Sequence, residues 1–284
     1  MPGNSDRSNK RSKGGWVQKK SRNDIEAGEV GVFVTCDIGR EGKCVAEVTD
    51  VFSQIIENSA KPAAEEDSDS DDGDIEAQIQ RELEGLNPTK KKSRPVQAMQ
   101  LEMPCGMAFS SLTDAAMIFA RLNDKSIDPV QLVHQLCLDA QANPDTKKSR
   151  YIKRLTPVTM IRKTLSVDLE AFAKEVLKPH FHSGGPPRKY AIRPSVRGNN
   201  KFKRDTIIKT VADVVGPEHP VDLKNYDVTI LVDVVQNVIG MSVVGSDYDQ
   251  LKRYNIAEIY DPSPKGEATP APPKDTKPED PENK

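Results

Sequence analysis

Apolar and polar positions along this chain fall into short blocks that predict most of its elements. Val30–Thr35 (VGVFVT) is a continuous apolar run and predicts a buried strand. After the loop CDIGREGK, Val45, Val48, Val51, Phe52, Ile55 and Ile56 keep helical spacing and predict a helix over about 43–57. Val96–Glu102 predicts a second strand, while Phe109–Arg121 mixes strand and helix signals and is left unassigned. Asp128-Pro129 offers an N-cap and a first-turn proline to a helix that ends at Asn143-Pro144. Another helix spans about 167–181, with Leu169, Phe172, Ala173, Val176 and Leu177 on one side. Tyr190, Ile192 and Val196 then alternate with Lys189, Arg193, Ser195 and Arg197, so one strand has an apolar underside and a cationic outer face. Gly198-Asn199-Asn200 breaks it. Ile207, Ile208, Val211, Val214 and Val215 form the stripe of the next helix. Val228–Val235 and Val238–Val244 are near-continuous apolar strands joined at Gln236-Asn237, and Asp233 inside the first must face solvent, an edge or a cation. A short helical or extended piece over 247–260 closes the pattern.

Strand, helix, strand and helix over 25–146 suit a small ferredoxin-like α+β module, and 147–260 reads as a second, α/β module. Residues 1–24 form a basic arm, 60–95 an acidic insert, and 261–284 a tail with seven prolines, all three lacking the apolar content of a core. A helix over 75–85 is expected within the insert. Ser68 and Ser70, set among acids, are candidate phosphorylation sites.

Charge changes this picture. The net charge is only −2 and the mean hydropathy −0.61, but the charges are segregated. Residues 1–24 carry net +5, residues 65–76 carry −8, and residues 147–209 hold seventeen Lys/Arg against four acids, +13. Such a basic stretch points to a polyanionic partner. Five cations (Arg193, Arg197, Lys201, Lys203, Arg204) crowd twelve residues at a strand-to-helix join with one acid, Asp205. A helix N-terminus favours phosphate, and cations placed there work against the helix dipole unless an anion uses both. A second basic stretch, 147–164, includes Arg150, Lys153, Arg154, Arg162 and Lys163 and joins the modules. Trp16 within the basic arm can stack on a base, or the arm is a nuclear-localisation or solubilising tail. The expected compartment is the nucleus or nucleolus, with the cytoplasm as a second place.

Several chemistries are excluded. Gly42-Lys43 fails as a phosphate loop, because Asp37 stands where a glycine is needed and Cys44 where Ser/Thr is needed. Cys36, Cys44, Cys105 and Cys137 form no C-x-x-C pair and suit a reducing compartment. His180 and His182 lack further metal ligands in view, and His134 reads as packing. No nucleophile–base pair, dinucleotide motif, secretory signal or membrane span is apparent. No room for a second enzyme fold is expected after residue 260.

RYIKRLTPV (150–158) resembles the opening of a THUMP domain, and KYAIRPSVRGNNKFKRDTII, HPVDLKNYDVTILVDV and IGMSVVGSDYDQLKRYNIAEI resemble the rest. TCDIGREGKCVAE resembles the entry to the ferredoxin-like module that precedes it. Together these runs, over about 30–57 and 96–260, are similar to the Tan-type THUMP proteins. The resemblance implies a tRNA-binding adaptor with no catalytic residues, cofactor or metal of its own. It would present serine and leucine tRNAs to a separate RNA cytidine acetyltransferase, which makes N4-acetylcytidine in the D-arm. Arg150, Arg154, Arg193, Arg197, Lys201 and Arg204 match the family's motifs as RNA-contact candidates. Lys153, Arg162, Lys163 and Lys203 join them by charge. The alternatives are a general RNA-binding scaffold or assembly factor, and a self-sufficient RNA-modifying enzyme.

Overall fold

The computed structural model describes residues 25–60, 95–101 and 115–262. The basic arm with Trp16, the acidic insert over 61–94 with the helix expected at 75–85, residues 109–114 and the proline-rich tail past 262 lie outside them. In chain order the elements are β1 (Gly31–Asp37), α1 (Glu41–Ala60), β2 (Val96–Leu101), β3 (Ala115–Leu122), α2 (Pro129–Ala142), β4 (Arg154–Val158) and β5 (Met160–Lys163). There follow α3 (Leu169–Phe181), β6 (Tyr190–Arg197), α4 (Arg204–Val215), β7 (Val228–Val235), β8 (Val238–Gly245), a turn at Lys252–Tyr254 and α5 (Ile256–Tyr260).

The first sheet has the order β2-β3-β1-β4 with every pair antiparallel. With α1 and α2 on one face this is the βαββαβ ferredoxin-like module. The strand left unassigned in the sequence is β3, at the centre of the sheet. Its residues AAMIFARL include good helix formers, and both faces are covered, so neither periodicity shows. Asp128 caps α2 by accepting from the Val130 N–H at 2.8 Å. The second sheet has the order β5-β8-β7-β6, and among these pairs only β6 and β7 run parallel, linked by α4 as the crossover. Helices α3 and α4 cover one face of it through Phe172, Leu177, Ile207 and Val211, packed on Ile230, Val232 and Ile239.

The modules share their joints. β4 is the edge strand of the first sheet, and β5, the edge strand of the second, begins after the single residue Thr159. The sequence reading grouped 147–158 with the following module, whereas β4 pairs with β1. Thr159 donates both its N–H (3.1 Å) and its Oγ1–H (2.9 Å) to the Met241 carbonyl, and the Ser242 hydroxyl donates to Pro157 O at 2.6 Å. Beyond β8 the chain returns to the first module, where Tyr248, Leu251, Tyr254, Ile256 and Tyr260 complete the core made by β1, α1 and α2. Lys252, Arg253 and Tyr254 have φ of 53°, 55° and 56°. Left-handed residues without glycine cost roughly 1–2 kcal/mol each. Burial of Leu251, Tyr254 and Ile256, each worth about 1.5–3 kcal/mol, offsets that strain. Among the described residues no helix is long and apolar enough to cross a membrane.

Gly240 of β8 sits at the closest approach of the sheets. A Cβ there would lie 2.6 Å from Val158 Cγ1 and 3.3 Å from Phe33. Gly240→Ala should therefore cost about 1–3 kcal/mol by overpacking. Combined with Val158→Ala, the loss measured by denaturant titration should be smaller than the sum of the single losses. Strict additivity would contradict this packing.

Candidate nucleic-acid interface

The alternation read in β6 is present. Tyr190, Ile192 and Val196 pack under α3 and α4, and Arg193, Ser195 and Arg197 occupy the opposite face. That face is not simply outward. It meets the turn after β8, where Asp249 accepts from Arg193 Nη2 at 3.1 Å and from Arg253 Nε at 2.7 Å. Burial pushes the Asp249 carboxyl up, but the Arg253 hydrogen bond, the nearby Tyr226 hydroxyl and Arg193 outweigh it and hold the group below the usual carboxylate range. The second guanidinium contact of Arg193 is with Leu223 O at 3.4 Å.

Asp233, on the adjacent strand β7, is opposite Ser195 in register and only 9% exposed. Of the three surroundings it could have, it has the cationic one: Arg197 from β6, and Arg154 from β4 of the other module. Burial pushes its carboxyl up to about 6, with Arg197, a Ser195 hydrogen bond and Arg154 pulling the other way. Burial likewise lowers the Arg197 guanidinium, opposed by Asp233. Arg154, Arg193, Arg197 and Arg253 thus converge at the junction of the sheets, with two acids among them. The Nε–H groups of Arg154 and Arg193 are buried there with no acceptor among the described residues.

A second set of cations lies around the end of the second sheet. Asn199 donates to Gln236 O at 2.6 Å and accepts from the N–H groups of Lys201 (2.8 Å) and Phe202 (3.1 Å), which pins the turn into α4. The Lys201 ammonium donates to the carbonyls of Thr164 and Leu165, one residue past Lys163. Lys203, at the N-cap of α4, makes no side-chain cap bond, and Arg204 and Lys203 are exposed. Leu165 stands beside them at 86% exposure.

Residues 166–244 match the family model described as the THUMP domain. Over 245 residues the chain is 32% identical to an uncharacterized protein of Schizosaccharomyces pombe, spanning 85% of this chain and 79% of that one. It is 28% identical over 258 residues to the Saccharomyces cerevisiae protein named tRNA acetyltransferase TAN1, spanning 86% and 89%. It is also 28% identical over 247 residues to THUMP domain-containing protein 1 of Bos taurus, spanning 83% of this chain and 64% of the bovine one. The chain belongs to the Tan-type family of THUMP-domain proteins.

The cations nominated from sequence divide three ways in this THUMP protein. Arg154, Arg193 and Arg197 gather at the module junction, and Arg150 and Lys153 precede Arg154 in the chain. Lys153 forms an ion pair with Asp37 at the end of β1. Lys163, Lys201, Lys203 and Arg204 ring the end of the THUMP sheet. Arg162 joins neither group, because its guanidinium is bound by Glu175 of α3 at 2.8 Å and lies over the Phe172 ring. His182 is the exposed C-cap of α3, and half-buried His180 is held below its ordinary value by burial and then by Arg188. The sequence reading missed Asp249, Arg253 and Glu47. Asp249 and Arg253 are four residues apart in a segment read only as an ending, and Glu47 lies between apolar positions of α1 with no local signal.

Asp233 gives a pH test. Its raised value means that the folded chain holds that proton more tightly than the unfolded chain, so its contribution to stability falls as pH rises from about 4 to about 6. Asp233→Asn has no such proton. Relative to the parent, the variant should gain roughly 3 kcal/mol across that window, read by denaturant titration at each pH. A pH-independent difference between the two proteins would contradict the buried placement.

Proposed function

We propose that this protein is a non-catalytic adaptor that binds serine and leucine tRNAs. It presents them to a separate RNA cytidine acetyltransferase for N4-acetylcytidine formation in the D-arm. The THUMP domain is an RNA-binding domain, and a relative over most of the chain bears the name tRNA acetyltransferase. The observation that carries the reading is the junction itself. Arg154 and Arg197 gather around Asp233, and Arg193 and Arg253 around Asp249, a net-positive cluster that suits an acceptor-rich polyanion.

The mechanism is positional. Phosphate contacts fix the register of the folded RNA, and its shape supplies selectivity, because side chains cannot read the deep, narrow groove of duplex RNA. Binding then raises the effective concentration of one cytidine at the acetyltransferase. We place this activity in the nucleus or nucleolus, to be checked by imaging the tagged chain with and without residues 1–24.

The name of the yeast relative favours a second reading, in which the protein itself transfers the acetyl group. Total tRNA with acetyl-CoA and ATP separates the two. The adaptor reading expects N4-acetylcytidine, measured by mass spectrometry of digested tRNA, only when this protein and the acetyltransferase are both present. Product from this protein alone would establish the enzyme reading, and no dependence on this protein would favour a general RNA scaffold.

Arg193 and Arg197 are committed to acids, Asp249 and the buried Asp233, so reversing their charge would also disturb the fold. The exposed cations are cleaner probes. Each of Arg150→Gln, Lys203→Gln and Arg204→Gln should weaken tRNA binding and lower the salt slope by about one unit where the side chain meets a phosphate. Unchanged affinity and slope for all three would place the RNA elsewhere.

A further inference from the structure

Among the described residues, Glu47 of α1 forms no ion pair. Instead, its carboxylate is enclosed by the chain entering β4. Its Oε1 accepts from the Ser149 hydroxyl at 2.8 Å and from the N–H groups of Arg150 (3.0 Å), Tyr151 (3.0 Å) and Ile152 (3.2 Å). Its Oε2 accepts from Arg150 N at 3.0 Å and Tyr151 N at 3.3 Å. Successive N–H groups turned toward one point make a concavity for an anion, and here the anion comes from the same chain. Both sides of the contact are anchored. Cys44, Val48 and Val51 bury the helix around Glu47, and Ser149 and Ile152 are 2% exposed.

The segment held this way displays cations that lead up to the junction residue Arg154. Arg150 projects into solvent from the middle of the concavity. The next residues are Lys153, whose N–H binds Thr35 O, and Arg154, whose N–H binds the Thr35 hydroxyl at 3.1 Å. Lys43, one turn before Glu47 on α1, lies over the Tyr151 ring at 5.7 Å and adds another cation to the same surface.

We propose that Glu47 is a positioning residue for RNA binding: by occupying the N–H concavity of 149–152 it presets Arg150, Lys153 and Arg154 in the arrangement that meets the phosphates. This rests on the reading that the junction binds tRNA. Charge alone makes the opposite prediction. Removing an acid beside a basic surface strengthens attraction for a polyanion, whereas losing the carboxylate that orders three cations weakens it.

The test uses the full chain and total tRNA, titrated at several salt concentrations, with Glu47→Gln, Glu47→Ala, Glu47→Asp and the control Glu57→Gln. Glu57 is an exposed acid on the same helix. The expected result is about tenfold weaker binding and a salt slope lower by about one to two units for the Gln and Ala variants. Glu47→Asp should recover part of both, and Glu57→Gln should bind as well as the parent or slightly tighter. Binding by Glu47→Gln equal to or tighter than the parent overturns the proposal. So does weaker binding at unchanged slope, which marks a mere loss of folded protein. If the Glu47 variants do not fold, Ser149→Ala removes one donor from the concavity and should lower affinity and slope in the same direction. If the parent chain itself binds no tRNA, the failure belongs to the proposed function and not to Glu47.

Discussion

One run of extended chain, Arg154–Lys163, holds the whole protein together. It is the last strand of the first sheet and, after Thr159, the first strand of the second. A single residue between two edge strands leaves little freedom for the angle between the sheets, and Thr159 spends its N–H and its hydroxyl on one carbonyl of β8. Gly240 lets Val158 and Phe33 close the remaining gap. Everything of interest at the junction follows from that angle. Arg154 belongs to one module, Arg193 and Arg197 to the other, and they share a recess because the connection between their sheets is one residue long.

The junction also shows how cations are kept close together. Like charges in a partly buried site repel, and desolvation adds to the cost. Asp249 answers for Arg193 and Arg253, and Asp233, nearly inaccessible, answers for Arg197 and Arg154. Removing one partner of such a set is more damaging than never having had it. The exposed cations, Arg150, Lys203 and Arg204, are different in kind. They are solvated, contribute little to stability, and are available to a polyanion.

Much of this was legible from sequence, and the failures have physical causes. Period-two and period-3.6 patterns placed β1, α1, β2, α2, α3, β6, α4, β7 and β8, since each buries one face or is wholly apolar. The central strand β3 escaped because burial on both faces over Met117–Ala120 erases alternation. The fourth strand of the first sheet was read with the next module because RLTPV is short, polar at its start and continuous with β5. Quoted motifs carried the family resemblance, and relatives spanning most of the chain support it. The arginines of β6 were visible as a face. Their acids, Asp249 and Asp233, were not visible as partners, because a turn and a neighbouring strand bring them there through tertiary structure. Arg162 looked like its neighbours and was taken away from them by Glu175 of α3.

Photo-crosslinking of bound tRNA, with the crosslinked peptides sequenced by mass spectrometry, most directly tests whether the module junction is where RNA sits. Crosslinks concentrated in 150–154 and 193–204, and suppressed by unlabelled tRNA, are the expected result. Crosslinks confined to α2 and the outer faces of α3 and α4, with none at the junction, would contradict it.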